Sequence, residues 1–583
     1  MKLLSPAGLL AIAAATAPSL LAYNVSPSPT FLNQALACGL WGGFVAVCAL
    51  STPPGHSGTR GGAMPLQAAL LLVLLAVAGS WGWVGLPASL ALSAAAMLAA
   101  AMLLVAGGAA QRGAAPVFVL FCAGWVVAGV FNVGIAMVQV FAPQVPDGNW
   151  IARSGIVGRA VGNLRQPNHL SSLLLWSAIA VVALLELRRL HWRWALPLLA
   201  AMLFAVVLTA SRTGLVSVGL LALWGLLDRR LSWPGRAMLV GAPLIYALGW
   251  FGMSAWADAS AHTFGGAARL AETDVSGSRF GIWANTLELI RQNPWTGVGF
   301  GEFNYAWTLT PFPGRPTALF DHAHNLPLHL AAELGLPLSG VVMALLLWAL
   351  WRAAASAWAA GGADGAARRA ALMMVLMIGL HSLLEYPLWY AYFLLPAAWA
   401  WGFALGGGAA AERRSASVPR PAPALVLGGV ALVIGSTWSV ADYQRVAAIF
   451  NAPAGAPPLA QRITSGQRSV LFAHHADYAA ATTEGALPGT DPLQPFERAT
   501  HYLLDTRLMM AWSRALAADG QGDQARAIAQ RLREFRNPQA DEFFDVCDGA
   551  PASAVMGNTA ASEAAFQCEA PARSPGWREF LPR

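Results

Sequence analysis

Over the first 440 residues, runs of about 20 apolar residues, the length that crosses a bilayer as a helix, alternate with short interruptions of Arg, Pro, Gly, Asn and Asp. The runs lie near 7–23, 34–50, 64–83, 86–106, 116–141, 168–187, 195–210, 213–228, 237–256, 326–351, 370–386, 388–406 and 422–440. They predict an all-α polytopic membrane protein of about 12–14 transmembrane helices. No convincing cleavage site follows the first run, which therefore reads as an anchor and not a signal peptide. One interruption is far longer than the rest, 257–325, and long loops of this kind are usually functional. These features predict a membrane domain over 1–440 and a helical domain over 441–583.

In that last part the pattern changes to ordinary charge and short amphipathic segments. Arg498 to Leu504, Met509 to Ala517 and Asp523 to Leu532 read as helix-turn-helix pairs without a registrable repeat. After 548 the chain is Ala/Ser/Pro-rich and is expected to be poorly ordered.

Composition sharpens this picture. Of 583 residues, 56% are hydrophobic and only 11% charged, against about 25% charge in a soluble domain. Lys2 is the sole lysine, so lysine Schiff-base chemistry is disfavoured and anion binding falls to arginine. The net charge of +7 is spread over loops along the whole chain and is no nucleic-acid signature. Cys38, Cys48 and Cys122 sit in apolar runs, whereas Cys547 and Cys568 could pair in an oxidising compartment.

The arginines also orient the chain. With the amino terminus in the cytoplasm, alternate loops carry Arg60; Arg112; Arg188, Arg189 and Arg193; Arg229, Arg230 and Arg236; Arg352, Arg368 and Arg369; and Arg413, Arg414 and Arg420. The opposite short loops, such as 24–33, carry none, as the positive-inside rule requires. Four segments then face outward: 142–167, the turn at Ser211–Gly214, the 257–325 loop and everything after about 441. Arg153, Arg159, Arg165, Arg212 and Arg279 run against the trend, and an anionic ligand is the simplest reason.

Several outward residues suggest chemistry. Pro167 and Asn168 open a helix whose free N–H groups, with Arg159, Arg165, Gln166 and His169 alongside, can bind phosphate; alternatively Asn168 only caps and Arg165 snorkels to lipid. Arg212 lies between two short runs at a depth where arginine is costly, though lipid phosphate also suits it. Gly297, Gly299 and Gly301 form either a phosphate nest or a tightly packed turn. His322 and His324 read as acid/base groups, as metal ligands with Asp321 and Glu302, or as caps of the helix beginning near Leu326; no zinc-protease spacing is present. Glu385 can orient a base, or belong with Tyr386 to an aromatic belt.

In order along the chain, Arg165-Gln-Pro-Asn-His169, Thr209-Ala-Ser-Arg212, Ser278-Arg279, Asn293-Pro-Trp-Thr-Gly-Val-Gly-Phe-Gly301, Asp321-His-Ala-His-Asn325 and Glu385-Tyr-Pro-Leu resemble the O-antigen ligase and polymerase superfamily. Within it the pattern is most similar to the PglL-type bacterial protein O-oligosaccharyltransferases. The resemblance implies an inner-membrane glycosyltransferase with its active site facing the periplasm. It would move an oligosaccharide en bloc from undecaprenyl diphosphate to Ser or Thr hydroxyls of a pilin-like protein. The resemblance further implies that Arg212 and Arg279 hold the diphosphate and that His324 is essential. Arg159, Arg165, Gln166, His169, His322, Asn325, Glu385 and Tyr386 are the expected substrate contacts. Two guanidiniums can neutralise a diphosphate without metal or cofactor, and His324 would then act as general base on the acceptor hydroxyl or as a further diphosphate contact, which predicts displacement with inversion. Transfer to lipid A core, O-antigen polymerisation, transport of a lipid-linked glycan and a scaffolding role are the alternatives.

Overall fold

The computed structural model describes residues 3–51, 62–111, 114–260, 262–266, 279–406, 422–483, 491–548 and 566–581. Arg60, Arg112, Arg413, Arg414, Arg420, Ser278 and residues 549–565 of the expected loose tail lie outside the described residues. Every described element is helical. Each of the thirteen apolar runs is a helix: α1 (Pro6–Leu20), α2 (Phe31–Ser51), α3 (Met64–Trp83), α4 (Ala88–Ala110), α5 (Ala115–Phe141), α6 (Pro167–Glu186), α7 (Trp192–Thr209), α8 (Arg212–Leu227), α9 (Trp233–Ala259), α12 (Leu326–Ala359), α13 (Gly362–Ser382), α14 (Ala391–Leu405) and α15 (Pro423–Phe450). Between α9 and α12 lie α10 (Arg279–Gln292) and α11 (Phe303–Leu309). After α15 come α16 (Leu459–Gly466), α17 (Ala473–Thr482), α18 (Phe496–Tyr502), α19 (Thr506–Ala518), α20 (Gly522–Phe535) and α21 (Asp541–Asp548).

Among the described residues nine helices are long and apolar enough to span a membrane, and α1, α8 and α14 are shorter apolar helices. Helix α13 differs because its first turns carry charge. Its Arg369 Nε sits 2.7 Å from Asp228 Oδ2 in a buried ion pair, and Arg368 lies 2.7 Å from Asp364. The expected count of spans is met once the short helices are included, and the chain is a multi-pass membrane protein.

Contacts divide the chain into two compact units. The first holds 1–70, 97–273 and 344–440. Its centre is α6, nearly all of whose residues are buried. It packs against α5, α7, α8 and α13, while α14 packs on α13 and α2. Stacked aromatics such as Phe121 on Trp399 and Phe118 on Phe403 fill this core. A helix buried on all sides can be apolar all round, which is why α6 shows no polar face.

The second unit holds 71–96, 274–343 and 441–583. Leu289, Phe303, Tyr305 and Trp307 from the 274–343 stretch share one core with Leu508, Met509, Leu532 and Phe535 from the carboxy-terminal helices. Arg315, 8% exposed, fastens the two parts. It donates to the carbonyls of Trp307 and Thr310 and to Glu534, and it lies over the rings of Trp307 and Phe535. Burial is the main influence on this guanidinium and brings its pKa down to about 10, with Glu534 opposing. Cys547 and Cys568 form a disulfide. Phe566 and Trp577 are buried in the same core, so 566–581 is packed and the loose tail expected after 548 does not extend to it.

Candidate functional site

In the first unit two helix starts are tied together. Gln166 caps α6, its Oε1 accepting the His169 N–H at 2.8 Å, and Ser211 caps α8, accepting from Gly214 N at 2.9 Å. Ser211 Oγ donates to Asn168 Oδ1 at 2.6 Å, and Asn168 Nδ2 donates to Glu385 Oε1 at 3.1 Å. Thus the amino termini of α6 and α8 and the turn after α13 are joined through three side chains. Arg212 is the first residue of α8 and is exposed, and a helix amino terminus with a guanidinium beside it favours an anion.

The remaining candidates of this unit surround that junction. Arg159 is buried at 9% exposure and donates its Nε–H to Thr209 O at 2.8 Å, so it braces the turn that carries Arg212. Arg165 is half-buried, donates to Pro29 O at 3.5 Å, and has its pKa lowered by burial. His169 is 3% exposed, shares Nδ1 with the Tyr392 hydroxyl at 3.2 Å, and packs edge-on against Tyr390. His381 is fully buried, with Nδ1 at 2.7 Å from Ser172 Oγ. Glu385 and Tyr386 are half-buried, and the Tyr386 ring stacks beside Tyr390.

In the second unit the polar residues lie around the 321–325 turn. His322 Nδ1 is 2.9 Å from Asp321 Oδ1, and the His322 ring stacks 5.3 Å from His329. His324 Nδ1 meets the His322 carbonyl at 3.0 Å, and its ring abuts Phe320. Trp283 of α10 donates to Ala323 O at 3.1 Å, tying the turn to the helix that Arg279 opens. Arg279 is half-buried. Asn325 Oδ1 accepts Leu328 N at 3.0 Å, so the asparagine, not a histidine, supplies this cap. The Asp321 carboxyl, which burial alone would raise, is held down to about 2 by the imidazoles of His322 and His324 and by hydrogen bonds.

Beneath the turn runs a buried chain of acids and imidazoles. His329 Nε2 is 3.3 Å from Glu333 Oε1, and Glu302 Oε1 and Oε2 lie 2.7 and 2.8 Å from His501 Nδ1. Glu302 and His501 are 0% and 4% exposed, and Tyr305 stacks on the His501 ring. Burial raises the Glu302 pKa, His501 opposes it, and Glu333 adds to the rise. The pair joins positions 199 residues apart, and no local signal marks it.

The glycine turn has a packing role. Val298 N and Gly299 N donate to the carbonyls of Ala332 and Glu333, and Phe300 N to Ser80 Oγ. The N–H groups of 297 to 300 are thus spent within the fold, which favours the tightly packed turn over the phosphate nest. Gly297 (φ 68°) lies where a Cβ would come 2.3 Å from Glu333 O, so only glycine allows the two backbones to meet.

Strain marks the candidates as well. Among the described residues five that are not glycine have positive φ: Arg165, Arg188, Ala210, His324 and Arg536. Arg165 and His324 are candidates themselves, and Ala210 immediately precedes the Ser211 cap. A left-handed residue with a side chain costs about 1–2 kcal/mol and collects where function over-determines the backbone. No group of three or more His, Cys, Asp or Glu able to hold a metal occurs among the described residues.

Fold and clusters together define a multi-pass helical membrane protein whose polar residues gather at helix starts and in one long loop. Residues 160–185 match a family model described as protein glycosylation ligase, 197–343 one described as O-antigen ligase, and 369–544 one described as virulence factor membrane-bound polymerase, C-terminal. The chain is 29% identical over 265 residues to a general O-oligosaccharyltransferase of Acinetobacter baylyi, covering 42% of this chain and 43% of the relative. It is 26% identical over 271 residues to a ComP-specific O-oligosaccharyltransferase of the same organism, covering 45% and 46%. The chain thus spans less than half the length of the curated relatives it matches. The resemblance to the O-antigen ligase superfamily, and within it to the protein O-oligosaccharyltransferases, is borne out by these matches.

Proposed function

We propose that this chain transfers an oligosaccharide en bloc from undecaprenyl diphosphate to Ser or Thr hydroxyls of a periplasmic, pilin-like protein. The observation that carries the reading is the coincidence of matches with clusters. The glycosylation-ligase stretch holds Arg165, Gln166 and His169, the ligase stretch holds Arg212, Arg279 and His324, and the third holds Glu385, Tyr386 and His501. In the step proposed, the acceptor oxygen attacks the anomeric carbon and gives its proton to His324. The bond from that carbon to the diphosphate oxygen breaks, and the lipid diphosphate leaves with the electron pair, inverting the centre. Arg212 and Arg279 neutralise the leaving group, the work that electrostatic preorganisation performs without a metal. An imidazole is the side chain most often used as a general base, and His324 supplies one at the 321–325 turn.

An inner-membrane location with these segments outward is supported by the arginine asymmetry. The Cys547–Cys568 disulfide, which an oxidising compartment maintains, supports it too. The division into a membrane domain over 1–440 and a periplasmic domain over 441–583 belongs to the same proposal. The match of 197–343 to O-antigen ligases favours, as a second reading, transfer to lipid A core. Purified protein given lipid-linked oligosaccharide with either pilin or lipid A core decides between them. Transfer to core alone refutes the protein-acceptor reading, and activity lost on chelation refutes the metal-free mechanism. Full activity in His324→Ala removes that residue from the chemistry.

A further inference from the structure

Arg153 runs against the charge pattern of the loops, and nothing described so far uses it. It lines a half-open cavity of about 340 Å³ in the first unit, together with Gln139, Pro143, Gln144, Pro146 and Ser154. That volume falls within the range of about 300–1,000 Å³ typical of small-molecule sites. From these groups we infer that the cavity is a subsite for a sugar ring bearing a carboxylate or phosphate.

The cavity wall is built before any ligand arrives. Gln139 at the end of α5 donates to Ala152 O at 2.7 Å and accepts from Val161 N and Gly162 N at 3.0 and 2.8 Å. Asp147 Oδ1 gathers the N–H groups of Asn149, Trp150 and Ile151 within 3.2 Å, and Asn163 donates to Trp150 O at 2.9 Å. Ser154 donates to the carbonyls of Ile156 and Arg159 at 2.8 Å. A wall held on so many sides binds without the entropy of ordering itself.

Its open groups define the ligand. Among the described residues Arg153 donates its Nε–H to Pro146 O at 3.2 Å. That bond aims the side chain and leaves the terminal nitrogens, a planar fork matched to carboxylate or phosphate, for a ligand. Gln144 is exposed and offers an amide donor and acceptor suited to hydroxyls. Pro143 and Pro146 supply ring faces for the apolar C–H side of a saccharide. The inference rests on the carbohydrate-transfer reading, because an anionic headgroup carrying hydroxyls, such as phosphatidylglycerol, presents the same chemistry.

Binding measured without donor or acceptor separates the two questions. The full chain in phosphatidylcholine nanodiscs is titrated with glucuronate and with glucose, followed by saturation-transfer NMR and calorimetry. Glucuronate is expected to bind and glucose to bind at least about tenfold more weakly, the discrimination of a charge-assisted hydrogen bond. Arg153→Gln should remove the preference for the acid, and Gln144→Ala should weaken both sugars. Loss of glucuronate binding in phosphatidylglycerol nanodiscs would assign the same subsite to the lipid headgroup and overturn the sugar assignment. Equal binding of the two sugars, or an Arg153→Gln variant like wild type, would overturn the inference. Transfer activity in the same preparation would leave the proposed function standing in that event.

Discussion

The Glu302–His501 pair gives the sharpest test of how the loop is held. Replacing His501 with Leu leaves a carboxylate of 0% exposure without its imidazole. Removing one partner of a buried charged pair costs about 3–5 kcal/mol, because the survivor is buried uncompensated. At about 2–4 °C per kcal/mol for a body of 150–250 residues, the second unit should melt about 6–20 °C lower. Replacing both residues with Leu should recover much of that loss, since apolar replacement of a whole buried pair is often neutral or stabilising. A coupling of roughly 2 kcal/mol or more is expected from the cycle.

The pH dependence supplies a sign. Burial already raises the Glu302 pKa in the fold, and His501 is what restrains it. A raised carboxyl stabilises the fold below its unfolded value and loses that contribution as pH rises through the folded value. Without His501 the folded value climbs further, so the loss should be largest at neutral pH and shrink toward pH 5. Thermal melts in detergent, followed by Trp fluorescence from pH 5 to 8, read this directly. A loss independent of pH, or a double variant no better than the single one, would refute the reasoning.

Three other outcomes are expected. Arg212→Ala should lower kcat/KM for lipid-linked donor by about 10–100-fold, as loss of a charge-assisted contact does, with Arg212→Lys recovering only part because the fork is gone; steady-state transfer assays check it. His475 is buried and its pKa is brought down to about 4, so the unfolded chain takes up a proton between about pH 6.5 and 4 that the fold refuses. Stability should be complete above about pH 6.5 and fall as pH drops toward 4, and His475→Phe should flatten that slope in melts. Cys547→Ser opens a loop with a sequence separation of 21, which by chain entropy should cost about 3 kcal/mol, and reductant should cost wild type the same while leaving the variant unmoved in urea titrations.

How much of this was legible before folding follows from the range of each interaction. The spans were readable because lipid sets the length and polarity of a helix locally, and α8 and α14 could be read although short because Arg212 and Glu385 punctuate their edges. The clusters at Arg165, Arg212 and the 321–325 turn were readable because cations or imidazoles at the ends of apolar runs have few local uses. What holds those clusters was not. Asn168 reaches Ser211 across 43 residues and Glu385 across 217, and each reads by itself as an ordinary cap, hydroxyl or acid. The carboxy-terminal helices announce their amphipathic faces but not that Phe535 and Met509 share a core with Trp307. His501 sits in a helix of seven residues that reads only as one more short amphipathic segment. Only the carboxylate waiting in the 274–343 stretch makes it part of the candidate site's support. If that support sets the position of His324, then His501→Leu should slow transfer through kcat with KM for donor unchanged, whereas mere unfolding would lower the active fraction and leave the kcat of the surviving enzyme at its wild-type value.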